Sequence, residues 1–258
     1  MSNFEITSSL PLIKKNKETL NYITPKISFR LNPGDMKDYS ASTEKKINID
    51  SIFSENRLGI SDSFESGRSL TLGLDYKKES LNEINKYFEM KVATVLRDKV
   101  ENNIPKISTI NRKSSNLFGS IKNNFSKNFE IDYNFALDND LQTFEYNDVQ
   151  AKFSLNNFIT EFSFVEENGE MGDNNFIENT TSLSFDESNF IKFNSRRNRK
   201  INLTEYYDLV YEYKNDCLIA GIKYKKTYYE DRDLKPSENL FFTISIIPIT
   251  TYEHKINQ

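Results

Sequence analysis

Few residues in this chain have side chains capable of covalent chemistry. There is one cysteine, Cys217, and one histidine, His254. A single thiol excludes an internal disulfide framework and any Cys-cluster metal site. A single imidazole excludes zinc sites built from several His and leaves most His-centred triads unavailable. No Gly-rich phosphate loop, nucleophile elbow or HExxH pair occurs, so no enzyme, metal or cofactor is expected. Two kinds of charged cluster remain. Arg196, Arg197, Arg199 and Lys200 flank Asn198 in an expected exterior loop, and their donors suit phosphate groups, although a charged loop is commonly just solvated. The carboxylate pairs Glu166-Glu167 and Asp138/Asp140 suit a polar rim, with a spacing that matches no known cation-binding loop.

The composition of the chain limits what can carry these clusters. The 258 residues are 37% hydrophobic and 28% charged, with mean hydropathy -0.65. Those values lean towards disorder, but 20 Phe and 14 Tyr oppose it, because disordered chains are poor in aromatics. The net charge of -4 and pI of about 5.4 give no basic excess for nucleic acid. With 8 Gly and 6 Pro, collagen-like and linker classes are excluded. No stretch approaches a transmembrane helix, and MSNFEITSSLPLIKKN has no basic region followed by an apolar one, so no signal peptide is visible.

The dominant signal has period two. Phe129, Ile131, Tyr133, Phe135 and Leu137 alternate with Glu130, Asp132, Asn134 and Ala136, giving one greasy and one wet face. The same pattern recurs at Ile23–Leu31, Leu70–Tyr76, Phe88–Leu96, Val149–Leu155, Tyr207–Tyr213, Leu218–Tyr224 and Leu240–Ile246. About thirteen such segments are expected, most near ten residues long. Phe144 and Tyr146 sit out of phase with Val149, which predicts a bulge or a strand start after Asn147. Mostly short polar turns alternate with mostly longer connectors, notably 32–65 and 98–114. Residues 51–59, SIFSENRLG, have some helical character, and 32–65 is long enough to fold over a barrel mouth.

Sorted loops and long strands fit an all-β, antiparallel transmembrane β-barrel of outer-membrane type. Strands of about 9–11 tilted residues span a bilayer, whereas strands of soluble proteins average about 5–6. Lys26, Arg30, Glu89, Lys91, Lys192, Glu212, Lys223 and Lys225 lie along strand centres on the wet phase, as a lumen allows. The apolar phases contain no charge, and a Lys or Arg at the lipid midplane would cost roughly 2–4 kcal/mol. The competing architecture is a soluble β-rich binding protein with one solvated face; a general diffusion porin is a third reading. About thirteen strands is odd, where single-chain bacterial barrels are even, and an unclosed sheet would leave bare edges in lipid. Both this and the missing signal peptide are expected if the chain is the C-terminal part of a longer protein.

The words of the sequence support a specific family. LPLIKK followed by YITPKISFRLNPGD, then NRLGISDSFESGRSLTLGLDY and LRDK, and finally LTEYYDLVYEYKNDCLIAGIKYKKTYYEDRDLKPSENLFFTISIIPI, resemble the C-terminal barrel region of the LPS-assembly protein LptD (OstA, organic solvent tolerance protein) family. The resemblance implies that residues 1–258 are roughly the second half of a larger barrel in the cell outer membrane. The N-terminal periplasmic jellyroll and first barrel strand would be absent and the C-terminus periplasmic. It implies transfer of lipopolysaccharide (LPS) from the periplasm to the outer leaflet through a lumen and lateral gate. Implied partners are LPS, the plug lipoprotein LptE, the periplasmic bridge protein LptA, the barrel-assembly machinery and outer-membrane lipid. Cys217, at a short turn, would bridge to the absent N-terminal domain. Phe242, Ile244, Ile246 and Pro248 would lie on the last strand and form the gate, Pro248 weakening the pairing or simply ending the strand. Arg196, Arg197, Arg199 and Lys200 would contact LPS phosphates.

Overall fold

The computed structural model describes residues 3–83, 85–228, 235–246 and 250–256. Alternating Phe, Tyr, Leu and Ile fold as fifteen strands: β1 (Phe4–Ser9), β2 (Leu12–Lys15), β3 (Thr19–Asn32), β4 (Gly67–Ser80), β5 (Tyr87–Arg97), β6 (Leu117–Ser126), β7 (Phe129–Leu137) and β8 (Phe144–Leu155). Then follow β9 (Phe158–Glu167), β10 (Asn175–Ser184), β11 (Asn189–Asn198), β12 (Leu203–Lys214), β13 (Leu218–Thr227), β14 (Ser237–Ile246) and β15 (Thr250–Ile256). Hydrogen-bonded neighbours follow chain order from β3 to β15, with β1 and β2 both on β3. Every ladder of defined register is antiparallel. The only helical turns among the described residues are Lys106–Ser108 and Gly169–Met171. Internal contacts divide the chain into two units, 1–149 with 166–174, and 150–165 with 175–258.

The strand count departs from expectation at both ends. β1 and β2 share one register on β3, since Ser9 lies opposite Lys26 and Leu12 opposite Ile23. They are one strand interrupted at Leu10-Pro11, where proline has no N–H to donate. The ladder therefore has fourteen positions, one more than the alternation predicts. The extra one is β15, which pairs along β14 from Ile246 opposite Thr250 to Leu240 opposite Ile256. Its sequence, TTYEHKI, has little apolar character, so the alternation did not mark it. His254 sits in this strand opposite Phe242, and β14 is not the last strand. The added strand also runs away from the short-turn rim, so the end of the described chain lies on the long-loop rim and not on the expected one.

The phase slip near Asn147 is a bulge inside β8. Glu145 and Tyr146 both face the polar side: the Asn116 amide donates to Glu145 at 2.7 Å, and the Tyr146 ring packs on the buried core. Phe144 and Asn147 face the other side, Phe144 edge-on to Phe135 and Asn147 accepting from the Tyr133 hydroxyl at 2.7 Å. Two consecutive residues on one face are the mark of an inserted residue.

In the first unit the core lies on the wet face. Ile47, Ile49, Ile52, Leu58 and Ile60 of loop 33–66, Ile104 and Ile110 of loop 98–116, and Met171 are buried against Ala93, Val95, Phe118 and Ala136. Small wet-phase residues such as Ser28 and Thr71, each 1% exposed, form the floor. Loop 33–66 thus folds onto the sheet as its length suggested, but residues 51–58 form successive turns and no helix. Asn48 Oδ1 accepts from the backbone N–H of Asp50 and Ser51, and Ser54 Oγ donates to the Ser51 carbonyl at 2.6 Å; such side-chain bonds compete with helix formation. The apolar phase of the same strands is bare: Ile27 is 44% exposed and Leu72 39%, despite strand neighbours on both sides. In the second unit Leu209, Ile222 and Phe242 are likewise exposed, and Phe193 stacks on Tyr207 across the sheet surface at 6.0 Å.

Candidate functional site

The wet face holds two polar constellations, one in each unit. In the first, loop 33–66 is clamped to the sheet through Glu65. Arg57 grips this carboxylate through two bonds, Nε at 2.7 Å and Nη2 at 2.5 Å. Arg97 of β5 donates to the same carboxylate and to the Ser66 carbonyl, and Arg30 of β3 stands 3.6 Å away on the other side. Arg57 also donates to Thr71 at 2.9 Å and Ser69 at 3.0 Å, while Arg30 donates to Glu5 at 3.1 Å and to the Ser54 carbonyl at 2.5 Å. Burial alone would raise the Glu65 pKa. The guanidinium groups of Arg57, Arg97 and Arg30 outweigh it and hold the carboxyl at about 2. Buried ions persist only where partners of this kind surround them.

Elsewhere in the loop, the Phe53 ring packs against β4 at Gly73. A Cβ on Gly73 would stand 2.7 Å from its ring, so only glycine permits the approach. Lys26 caps the ring at 5.7 Å while pairing with Asp75 at 2.6 Å. Lys46 reaches Glu167 at 2.5 Å, and Asn174 donates to the same carboxylate at 2.7 Å. Arg112 pairs with Glu170 at 3.3 Å. Three loops are thereby tied to one another and to the sheet by charge as well as by the isoleucine core.

The second constellation is an open concavity of about 630 Å³ on the wet face of β11–β14. Arg196, Glu205, Tyr206, Lys225, Thr227, Lys235, Ser237, Asn239 and Phe241 line it. Its geometry starts from a register shift. Arg196 lies opposite Tyr206 and Arg197 opposite Thr204, which leaves Glu205 as the extra residue. The Glu205 carboxylate reaches Arg196 Nε at 2.7 Å, Glu178 accepts from Nη1 at 3.0 Å, and the Phe176 ring stacks 4.0 Å from the guanidinium.

The residues singled out from sequence are placed as follows. Arg196 and Arg197 belong to β11 and not to a loop; the turn itself is only 199–202. The basic run does not converge. Arg196 lines the concavity, Arg197 donates to Asn202, Arg199 stacks 5.1 Å from the Phe164 ring, and the Lys200 backbone N–H donates to Asn198 at 3.1 Å. Cys217 is a free, exposed thiol in the short turn between β12 and β13. Phe242, Ile244 and Ile246 lie on β14, which has β13 on one edge and β15 on the other, so the expectation that they form a terminal seam is corrected. Pro248 lies outside the described residues. Glu167 and Asp138 have structural work, Glu167 in the Lys46 pair and Asp138 accepting from the Gln142 N–H at 2.8 Å.

Sequence reasoning missed the Glu65 clamp. Arg30 announced itself only as a wet-phase charge, and nothing local linked it to Arg57, Glu65 or Arg97. It also missed the concavity, although Lys225 was already marked as a wet-phase lysine.

A long-stranded antiparallel sheet whose apolar face is bare at the strand centres, with charges such as Lys226 and Glu238 only towards the strand ends, and a polar face filled by folded loops defines the class: a β-sheet protein of the outer-membrane type. The chain belongs to the LptD, LPS transport system D, family, whose model matches residues 1–183. The C-terminal words of the resemblance, from Leu203 onward, lie beyond the matched part. Among solved structures the chain is similar to a mutant ferric enterobactin receptor, PfeA, from Pseudomonas aeruginosa. The TM-score is 0.43 and the identity 10%, over 94% of this chain and 45% of that one, so the chain spans less than half of that receptor. No curated protein matches.

Proposed function

We propose that this chain is a portion of an outer-membrane barrel that passes LPS from the periplasm to the outer leaflet. In this reading the apolar phase touches lipid and the wet phase lines the lumen. One observation carries it: large residues such as Ile27, Leu72 and Leu209 are bare, while loops and ion pairs cover the opposite face. A soluble protein buries its greasy face first. Membership of the LPS transport system D family supplies the cargo.

The remaining parts of the reading follow from the family. Residues 1–258 are the C-terminal part of the barrel, and the preceding jellyroll receives LPS from the bridge protein LptA. LptE sits in the lumen, and the barrel-assembly machinery inserts the whole. The exposed Cys217 thiol, on the short-turn rim, pairs with a cysteine outside this chain. Arg199 and Lys200, on the opposite rim, meet LPS phosphates. No seam is assigned to β14, since both its edges are paired.

Site-specific photo-crosslinking in living cells tests the reading. A photoreactive residue at Val210, on the wet phase, should capture LPS. The same residue at Leu209, next in sequence on the apolar phase, should capture phospholipid and little LPS. Capture of soluble protein at Leu209 would refute the membrane assignment.

A further inference from the structure

The concavity on β11–β14 carries an unbalanced charge. Arg196 is neutralised, held by Glu178 and Glu205 and covered by the Phe176 ring. Lys225 and Lys235 are not: among the described residues no carboxylate pairs with either. Asp208, opposite Lys225 in the ladder, is engaged 3.6 Å from Lys223 instead. Lys226, on the other face, takes Glu238 at 3.2 Å. Two ammonium groups with no carboxylate partner among the described residues therefore line one hollow in a chain whose net charge is -4. Most other wet-face cations of the sheet, including Lys26, Arg30, Lys91, Lys122 and Lys223, have an acidic partner.

The rest of the lining is equally selective. Tyr206 and Phe241 present rings, which suit the C–H face of a pyranose, and Thr227, Ser237 and Asn239 present hydroxyl and amide groups. A volume of about 630 Å³ is within the range of small-molecule sites. We propose that this hollow is a binding site for a phosphorylated sugar, with Lys225 and Lys235 on the phosphate and Tyr206 and Phe241 on the sugar ring. The proposal rests on the translocation reading and deepens it, placing a holding point for the phosphorylated saccharide of the cargo on the lumenal wall. Arg196 acts as a positioning residue, fixing Glu205 away from the incoming phosphate.

The test is equilibrium binding to the protein purified from membranes in detergent. The probes are LPS, the same LPS after phosphatase treatment, and phosphatidylglycerol. The wild type should bind intact LPS best, with affinity falling as salt rises. The variants Lys225→Gln and Lys235→Gln should each weaken intact LPS by about tenfold, as loss of a charge-assisted bond predicts, and leave phosphatase-treated LPS unchanged. Lys77→Gln, away from the hollow, should bind as wild type. Retention of heat-modifiable migration on gels by each variant excludes misfolding as the cause. Equal binding of intact LPS by wild type and by the double variant overturns the site while leaving the translocation reading standing. No LPS binding by the wild type overturns both. Preferential binding of phosphatidylglycerol would identify a phospholipid headgroup as the ligand and overturn the sugar assignment.

Discussion

Arg57 and Glu65, eight residues apart in one loop, form a two-bonded ion pair at 2.7 and 2.5 Å, with the Arg57 side chain wholly out of solvent. Planar guanidinium and planar carboxylate meet fork to fork, the strongest geometry available to such a pair. Around it Arg30 and Arg97 fasten the loop to β3 and β5. Glu65→Gln preserves shape and removes the charge that three guanidinium groups share. Leaving buried cations without their carboxylate costs about 3–5 kcal/mol. Limited proteolysis should cut the variant within 33–66 at neutral pH, while wild type resists.

The same clamp should open in acid. The folded Glu65 carboxyl titrates near 2, below its ordinary 4.5. A depressed carboxyl contributes stability that is complete above about 4.5 and lost as pH falls towards 2, here on the order of 3 kcal/mol. Cleavage of the loop by an acid protease should therefore rise steeply over that window. In Glu65→Gln it should be fast throughout and insensitive to pH.

Gly73 and Phe53 should behave as a coupled pair. The Cβ of Gly73→Ala would meet the Phe53 ring at 2.7 Å, an overpacking cost of about 1–3 kcal/mol. In a Phe53→Ala background that cost should largely vanish. Additive effects in a double-mutant cycle, measured by thermal release of the loop, would contradict the contact.

Charge placed on the two faces should have opposite consequences. Leu209→Arg puts a cation in lipid and should cost about 2–4 kcal/mol near the midplane, read as a smaller heat-modifiable fraction in membranes. Asn194→Arg, on the wet phase and opposite Asp208, should assemble normally. If Leu209→Arg instead improved solubility without detergent, the bare face would be facing water.

Thiol labelling reports the two rims. In a Cys217→Ser background, Asp140→Cys in the exposed turn after β7 should react with an impermeant maleimide on intact cells. The native Cys217 should react only after the outer membrane is opened, and after reduction if it is bridged to another part of the protein. Labelling of Cys217 on intact cells would invert the topology.

Much of the architecture was legible in single strands. Phe129–Leu137 alternates without a break and is β7 to the residue. The slip at Tyr146 announced the bulge in β8. Where the alternating residues were polar, as in TTYEHKI, the strand escaped notice, because its pairing with β14 is a backbone matter that side-chain contrast does not report. The basic run at 196–200 was misplaced for a related reason: arginines are hydrophilic in loops and on wet faces alike, and the ladder to β12 decided between them.

Side-chain order along one strand, by itself, settled which residues share a face, since the pleat sends neighbours to opposite sides whatever lies around them. It thereby settled that one surface is oily and free of charge along the strand centres. The tertiary structure alone decided which charges meet. Arg30, Arg57 and Arg97 converge on Glu65 only because loop 33–66 closes over the sheet, and Lys225 has no carboxylate partner among the described residues, Asp208 lying 3.6 Å from Lys223 instead. Most of these partnerships join a loop to a strand or one strand to another, and their strength depends on burial and geometry that no local pattern encodes.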